Sequence, residues 1–329
     1  MKNKKPTAAD FFAGIGGMRL GFERAGFENV YANEIDPRCC EVYQQNFGEN
    51  PQGDITALDP TALPDFDVFV GGFPCQPFSM AGKRNGFQDE RAAVIGGIKK
   101  VLTKKKPKAV FLENVKHFRH IKNGEVFDRF KRMLEECGYN IFTCVLNSAD
   151  FGVPQRRERL YVVGLRKDLG ITDFEFPKGN GQVRTVGDVL EDRVPLEYYL
   201  SKKILRCLRK HRARHARRGN GFGFAVLEKD ASANTLVGGN MGRERNLIKD
   251  TKSINRFRNH PDWRRRNAEK LRYLTPRECA RLQGFPDKFK LHKYKTRAYR
   301  QVANSVSIPV VKAISSKIYE KLTNLTPLD

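Results

Sequence analysis

A cysteine in a proline-rich turn is the side chain of this sequence with the clearest capacity for covalent chemistry. Cys75 stands in the run Gly71-Gly-Phe-Pro-Cys-Gln-Pro-Phe-Ser79, directly after an apolar stretch at Asp67–Val70. Most cysteines that are not paired are buried and inert, but the glycines, prolines and polar neighbours here predict an exposed loop. A thiol in a loop that follows a strand is placed to act as a nucleophile.

An acid and two arginines stand beside further apolar runs. Glu113 directly follows Ala109–Leu112, and Arg157 and Arg159 precede Leu160–Gly164. A carboxylate at the end of a buried strand is partly desolvated, which suits a general acid. A cation near a thiol favours the thiolate. The sequence therefore predicts a nucleophilic site with its own proton donor.

A glycine-rich turn and two acids precede these residues and suggest a cofactor site. The turn, Phe12-Ala-Gly-Ile-Gly-Gly17, lies between a predicted strand and a predicted helix, where a ligand can approach the backbone closely. Position 19 is Arg rather than a third glycine, which argues against a nicotinamide dinucleotide. Glu34 ends the next strand and could hold ribose hydroxyls, and Asp54 could hold an adenine amino group. Either acid alone is more often a solvated loop carboxylate.

The surrounding pattern predicts the scaffold. Residues 7 to about 170 alternate short apolar runs with amphipathic segments, which predicts an α/β fold with a doubly wound, mostly parallel sheet. The carboxyl ends of parallel strands meet at one edge, so the turn, the acids and Cys75 should gather there. The periodicity weakens beyond Pro177 and returns at Thr275–Leu282 and Val310–Leu322, where two helices are predicted.

Charge and cysteine spacing bound the class of protein. The chain of 329 residues has 61 Lys and Arg against 37 Asp and Glu, a net charge of +24, and Lys202–Arg218 holds nine basic residues and no acid. Such a balance favours a polyanionic partner, although a basic surface can also serve solubility alone. Seven scattered cysteines without a CxxC pair indicate reduced thiols and no metal site. We expect a soluble intracellular protein, with no signal segment and no membrane span.

The order of these motifs resembles the bacterial DNA cytosine-C5 methyltransferases of type II restriction-modification systems. The resemblance covers about residues 7–170 and resumes at Leu274-Thr-Pro-Arg-Glu-Cys-Ala-Arg-Leu-Gln-Gly-Phe-Pro286 and Ala298-Tyr-Arg-Gln-Val-Ala-Asn-Ser-Val306. It implies a catalytic and cofactor-binding domain over 1–177, a DNA-recognition domain over 178–297 and a C-terminal segment, 298–329, that returns to the catalytic domain.

The resemblance also implies an activity and partners. The methyl group of S-adenosylmethionine would pass to C5 of a cytosine flipped out of duplex DNA, leaving S-adenosylhomocysteine. We expect a monomeric, cytoplasmic protein encoded by a bacterium or phage. A cognate restriction endonuclease would act on the same site without binding the protein.

Individual roles follow from the same resemblance. Cys75 would add to C6, Glu113 would bind N3 and the exocyclic amine, Arg159 would hold the base oxygen, and Arg157 would support the catalytic loop and the sugar-phosphate. The predicted cofactor-binding residues are Phe12, Gly14, Ile15, Gly17, Glu34, Ile35, Asp54, Phe73, Asn304 and Ser305. The predicted DNA-binding residues are Gln76, Ser79, Lys83, Arg84, Arg91, Thr235, Arg243 and Arg245.

The chain departs from the family pattern at a few cofactor-pocket positions. Val94 and Ile95 replace a usual Leu-Phe pair, Ile35 replaces an aromatic residue and Ala303 replaces a glycine. Gly96-Gly97 follows the altered pair and should weaken its helix by about 1 kcal/mol per glycine. We therefore expect the affinity for the cofactor to differ from that of the family.

Three other functions fit parts of the sequence. A related branch of the family methylates tRNA with the same motifs, and turnover on duplex DNA and on tRNA would distinguish the two. A DNA-binding protein with a decayed site is disfavoured by the intact Cys75, Glu113 and Arg159. A nicotinamide dehydrogenase lacks its fingerprint and needs no such charge.

Overall fold

The chain divides into two compact units. The computed structural model describes residues 5–73, 87–221, 223–238, 243–266 and 269–324. The first unit comprises Met1–Asn147, Glu158–Gly179 and Ile308–Asp329, and the second comprises Ser148–Arg157 and Asn180–Ser307. By this division the C-terminal return into the first unit begins at Ile308, later than the expected residue 298, because helix Lys295–Asn304 packs on helix Pro276–Leu282.

The helices and strands follow one another along both units. In chain order they are β1 (Thr7–Phe11), α1 (Gly17–Arg24), β2 (Glu28–Asn33), α2 (Pro37–Phe47), β3 (Val68–Gly71), α3 (Phe87–Lys105), β4 (Ala109–Val115), α4 (Glu125–Glu136), β5 (Tyr139–Asn147), β6 (Gln155–Arg156), β7 (Glu158–Arg166), α5 (Lys202–Ala216), β8 (Val226–Leu227), β9 (Ala233–Asn234), β10 (Leu247–Lys249), α6 (Thr251–Ile254), β11 (Leu271–Tyr273), α7 (Pro276–Leu282), α8 (Lys295–Asn304) and α9 (Ile308–Thr323). No helix among the described residues is both long and apolar enough to cross a membrane.

The first unit is built on a six-stranded sheet in the order β2-β1-β3-β4-β7-β5. The pairs β1–β2, β1–β3 and β3–β4 are parallel, and β7 is antiparallel to both of its neighbours. The segment between β5 and β7, residues 148–157, is too short for the helical crossover that a parallel pair requires. The predicted doubly wound, mostly parallel sheet is therefore confirmed, with one antiparallel strand that the apolar pattern alone did not distinguish.

The core of the first unit is aromatic and closely packed. Phe11 and Phe69 stack at 4.3 Å between ring centroids, and both side chains are fully buried. Helices α1 and α9 approach so closely that a Cβ at Gly21 would lie 2.4 Å from Cγ1 of Val311. This contact joins the first helix of the chain to its last, so the C-terminal helix is part of the same core.

Helix α3 continues through the paired glycines that were expected to weaken it. A Cβ at Gly97 would lie 2.9 Å from the carbonyl oxygen of Ile55, whereas a Cβ at Gly96 would meet nothing within 4 Å. The absence of a side chain at position 97 therefore permits close backbone packing. At position 96 the helix carries the entropic cost of glycine without a packing reason.

The second unit has little regular structure and is held together by buried polar side chains as well as by leucines. Its sheets are small, β11-β10-β8 and β6-β9. Arg272 is 1% exposed, and its guanidinium lies 2.9 Å from Asp250 Oδ2 and makes two 2.8 Å bonds to the carboxylate of Glu278. Glu278 also completes a capping box with Thr275 at the start of α7, which confirms the predicted helix there.

Candidate active site

Four neighbouring strands bring together most of the predicted cofactor and catalytic residues of the first unit. The glycine turn follows β1, Glu34 follows β2, Gly72 and Phe73 follow β3, and Glu113 lies near the end of β4. These strands are adjacent and parallel in the order β2-β1-β3-β4. The predicted residues therefore follow strands that end at the same edge of the sheet, which is the usual position for a ligand in such a fold.

The glycine turn has a backbone that side chains would obstruct. Gly14 and Gly16 have φ angles of 56° and 89°, and a Cβ at Gly16 would lie 2.2 Å from the ring of Phe47. Phe12 also adopts a positive φ of 57°. The turn then leads directly into α1.

Glu34 anchors the turn with its carboxylate. One oxygen accepts a 2.7 Å hydrogen bond from the Gly14 N–H and the other a 2.8 Å bond from the Asp36 N–H. Burial raises the pKa of Glu34, and these backbone N–H groups oppose the shift. Each oxygen retains a lone pair for a ligand hydroxyl.

The remaining predicted cofactor residues of the first unit differ in environment. Ile15 and Gly17 are buried, Ile35 is 62% exposed, and Asp54 accepts a 2.9 Å bond from the Thr56 N–H. Phe73 is 4% exposed and packs against Phe118 and Phe130, with centroid distances of 5.4 and 4.9 Å. Its ring belongs to the apolar core, so its surroundings differ from those expected of a residue that flanks an adenine.

Glu113 and Arg159 form the charged centre of the catalytic region. Arg159 Nε lies 3.1 Å from Glu113 Oε1, and the two side chains are 14% and 12% exposed. The contact is an ion pair without hydrogen-bond geometry, since Oε1 accepts no hydrogen bond from the described residues. A Cβ at Gly72 would lie 3.6 Å from the other oxygen of Glu113. The acid and the cation therefore meet beside the segment that leads to Cys75.

Several predicted residues lie outside the part of the chain that the structure describes. These are Cys75, Gln76, Ser79, Lys83 and Arg84, and the side chain of Arg91 in α3 is also not described.

Two buried residues of this edge were not predicted from the sequence. Asn114 is 4% exposed and donates a 3.2 Å hydrogen bond to the carbonyl of Phe73, which fixes the start of the Cys75 segment. Asp10 is 1% exposed within β1, and neither of its oxygens accepts a hydrogen bond from the described residues. Burial raises the pKa of Asp10 to about 8, and the nearby Arg19 lowers it only in part. The sequence feature that could have identified Asp10 is an acidic residue within an otherwise apolar strand.

In the second unit, Arg157 has contacts that differ from the catalytic role expected for it. It is 3% exposed, and its guanidinium donates to the carbonyl oxygens of Leu236, Ala303 and Ser305 at 3.3, 3.1 and 2.6 Å. Both terminal nitrogens of the guanidinium are thus engaged by backbone carbonyls of the same unit. Asn304, between two of these carbonyls, is exposed.

The predicted DNA-binding residues of the second unit fall into different environments. Thr235 donates a 2.6 Å bond to the carbonyl of Arg156. Arg243 is half-buried, with its guanidinium 5.4 and 5.1 Å from the ring centroids of Tyr273 and Tyr299. Arg245 is exposed. Among the predicted arginine readers, Arg243 is thus held by cation–π contacts, and Arg245 is the more accessible.

The basic segment Lys202–Arg218 forms helix α5 and two following residues. Ser201 caps the helix, and Leu205 and Leu208 are its buried residues. Its nine Lys and Arg residues are exposed. The two buried leucines therefore leave the basic side chains of the helix exposed.

Comparison with known proteins identifies the family. A family model for C-5 cytosine-specific DNA methylases matches residues 7–320. The chain is 42% identical over 328 residues to the type II methyltransferase M.HpaII of Haemophilus parainfluenzae, covering 98% of this chain and 91% of that protein. It is 37% identical to the type II methyltransferase M.HhaI of Haemophilus parahaemolyticus, covering 98% of both. The crystal structure of the S. pombe Dnmt2 methyltransferase has a similar fold, with a TM-score of 0.74 and 24% identity over 98% of this chain and all of that one.

The chain therefore belongs to the C-5 cytosine-specific DNA methylase family. It is a DNA cytosine-5-methyltransferase, as the sequence analysis predicted, and its family and fold imply S-adenosylmethionine as the methyl donor. The donor set at the sheet edge fits that cofactor. Glu34, bonded to the Gly14 N–H of the glycine turn, offers carboxylate oxygens to ribose hydroxyls.

Proposed function

We propose that this protein methylates C5 of a specific cytosine in duplex DNA through a covalent bond between Cys75 and C6 of the base. The observation that carries the proposal is the Glu113–Arg159 pair, at 3.1 Å and largely shielded from solvent, beside the segment that leads to Cys75. A largely shielded acid beside a cation is suited to a heterocycle bearing both a ring nitrogen and an exocyclic oxygen.

The proposed chemistry uses each of these groups in one role. C5 of cytosine is a weak nucleophile, and addition of the Cys75 thiolate to C6 converts the ring into an enamine. In this scheme the protonated carboxyl form of Glu113 donates a hydrogen bond at N3, which limits the negative charge that develops during addition, while Arg159 holds the base oxygen. Bound S-adenosylmethionine supplies an electrophilic methyl group on a sulfonium. Loss of the C5 proton to a base then expels the Cys75 thiolate and restores the aromatic ring.

Base flipping is a further part of the proposal. Cys75, Glu113 and Arg159 must approach the edge and face of a single base, which is inaccessible within a stacked duplex.

We infer that the second unit selects the target site and that the chain acts on duplex DNA rather than tRNA. The positive side of α5 and the exposed Arg245 support this inference. Several relatives are named type II methyltransferases, which supports a cognate endonuclease for the same site.

Methyl transfer from labelled S-adenosylmethionine tests the substrate and the position. Duplex DNA and tRNA are incubated separately with the enzyme, and the digested nucleosides are separated. We expect 5-methylcytosine from duplex DNA only, at one sequence context when the product is mapped. Arg159→Met and Glu113→Gln should each lower kcat by about 10²-fold or more, and Arg281→Met, which alters a partly exposed pair with Asp287, serves as the control. Label at another base position, or label in tRNA alone, would contradict the proposal.

A further inference from the structure

The guanidinium of Arg19 connects the first two helices of the first unit. Its Nε lies 2.6 Å from Glu23, and its terminal nitrogens donate to the two carboxylate oxygens of Glu49 at 2.8 and 3.1 Å. One of them also donates to Tyr43 Oη at 3.0 Å. Glu23 is one turn further along α1, whereas Tyr43 lies in α2 and Glu49 follows that helix. The side chain of Arg19 is 10% exposed, so the connection is largely buried.

The same guanidinium stacks on Phe47, the last residue of α2. Its central carbon lies 4.4 Å from the centroid of the ring, which is a close cation–π contact. The Phe47 ring in turn packs on Gly16, since a Cβ at that position would lie 2.2 Å from Cε2 of the ring. Gly16 belongs to the glycine turn and is the N-cap of α1. A continuous contact therefore runs from Arg19 through Phe47 to the turn.

The glycine turn needs such support because its own backbone is permissive. Gly14 and Gly16 both have positive φ angles, and glycine adopts either sign of φ with little steric cost. Local hydrogen bonds hold part of the turn: the Gly14 N–H donates to Glu34, and the Gly16 N–H donates to the carbonyl of Ala13 at 2.8 Å. The packing of Phe47 restricts the far end of the turn, where α1 begins.

The ion pairs of Arg19 contribute little to the stability of the whole unit. Glu23 and Glu49 are 36% and 50% exposed on their side chains, and pairs with exposed acids add little to the free energy of unfolding. A local effect of Arg19 on the turn can therefore be measured separately from an effect on the fold.

We propose that Arg19 is a positioning residue for cofactor binding. Through Phe47 and Glu49 it keeps the glycine turn in its ligand-binding conformation before S-adenosylmethionine binds. The proposal rests on the proposed function, because it takes the turn as part of the cofactor site. If the turn is ordered in only a fraction of the molecules, the apparent dissociation constant rises by the inverse of that fraction.

The first test measures binding of S-adenosylhomocysteine by calorimetry. Arg19→Met keeps a long side chain without the guanidinium, and it should raise the dissociation constant about 10-fold. The KM for S-adenosylmethionine should rise by a similar factor, whereas kcat should stay within about twofold because a saturating cofactor orders the turn. Arg19→Lys should give an intermediate constant, since an ammonium retains the ion pair with Glu49 but cannot stack as a planar group.

The second test measures amide hydrogen exchange in the cofactor-free protein. The N–H groups of Ala13, Gly14 and Gly16 all donate within the described structure, and they report the order of the turn directly. In Arg19→Met these amides should lose most of their protection, whereas those of the central strand β3 should keep theirs. A role in the stability of the whole unit would instead lower the protection of β3 as well.

Two further variants keep the tests decisive. Arg166→Met is the matched control, because Arg166 lies 2.7 Å from Asp168 at the opposite edge of the same sheet. It should leave the dissociation constant of S-adenosylhomocysteine unchanged. Glu49→Met removes the acceptor of two Arg19 hydrogen bonds from an exposed position, and it should raise the constant about threefold. This variant decides the question if Arg19→Met does not fold.

The outcomes separate the possible failures. An unchanged dissociation constant in Arg19→Met, an equal rise in Arg166→Met, or an equal loss of protection in the turn and in β3 would overturn the positioning role. An unchanged constant in Glu49→Met would overturn it if Arg19→Met does not fold. Failure of the wild-type protein to bind S-adenosylhomocysteine would instead count against the proposed function.

Discussion

The two units position their residues in different ways. The carboxyl edge of the sheet in the first unit depends on strand order, whereas the second unit depends on the contacts of buried polar side chains. At the edge, four adjacent strands end together, so the backbone alone places Gly14, Glu34 and Glu113 near one another. In the second unit the strands are short. Arg157 binds backbone carbonyls there, and Arg272 binds the carboxylates of Asp250 and Glu278. A site at a sheet edge can be predicted from the order of the strands. Contacts made by buried polar side chains can be identified only in the folded structure.

The largest effect expected from this difference is on the stability of the second unit. Arg272→Met leaves the carboxylates of Asp250 and Glu278 buried without their partner, which should lower the free energy of unfolding by about 3–5 kcal/mol. Urea denaturation measures the change. Arg209→Met is the control, since Arg209 and Glu269 form an exposed pair that should contribute about 0–1 kcal/mol. Equal losses in the two variants would remove the distinction between the buried and the exposed pair.

The buried acid of the first unit should produce a pH dependence. The pKa of Asp10 rises from 3.8 to about 8 on folding, so between these values the unfolded chain releases a proton that the folded chain keeps. The contribution of Asp10 to the free energy of unfolding is therefore complete below pH 4 and is lost as the pH rises toward 8. Between pH 5 and 7 the free energy of unfolding should fall by about 3 kcal/mol more than that of Asp10→Asn, which cannot ionise. Parallel stability curves for the two proteins would show that Asp10 is ionised in the folded state.

The arginines of the second unit should separate base reading from phosphate binding. Arg245 is exposed in the second unit, and Arg245→Ala should cost about 1–3 kcal/mol on target DNA alone. Arg214 lies on the exposed side of α5, and Arg214→Ala should lower the salt slope of binding by about one, equally on target and non-target DNA. Salt-dependent binding of both variants to both duplexes checks this. Equal losses on the two duplexes for Arg245→Ala would place the reading contact elsewhere.

The smallest expected effect concerns the paired glycines of α3. Gly96→Ala meets open space and should stabilise the protein by about 1 kcal/mol. Gly97→Ala should destabilise it, because the new Cβ would lie 2.9 Å from the Ile55 carbonyl. Thermal unfolding of the two variants gives the comparison. Higher stability in both variants would mean that the backbone near Ile55 can move to accommodate the new Cβ.

The sequence predicted the sheet edge well because its signals are local. Apolar runs, a glycine turn and acids at strand ends indicated the class of fold and brought Glu34, Glu113 and Arg159 into one hypothesis. The antiparallel direction of β7 was missed because an apolar run has the same pattern in either direction. The contacts of Arg157 were missed because its partners at 236, 303 and 305 are backbone carbonyls, which leave no trace in side-chain identity.

The central claim is that Cys75 attacks C6 of the target cytosine. The most direct measurement uses duplex DNA that carries 5-fluorocytosine at the target position, incubated with the enzyme and S-adenosylmethionine. Fluorine at C5 cannot leave as a proton does, so the covalent intermediate accumulates. Mass spectrometry of the digested adduct should map the bond to Cys75, and Cys75→Ser should form no adduct and lose nearly all turnover. An adduct at another cysteine, or normal turnover by Cys75→Ser, would contradict the account.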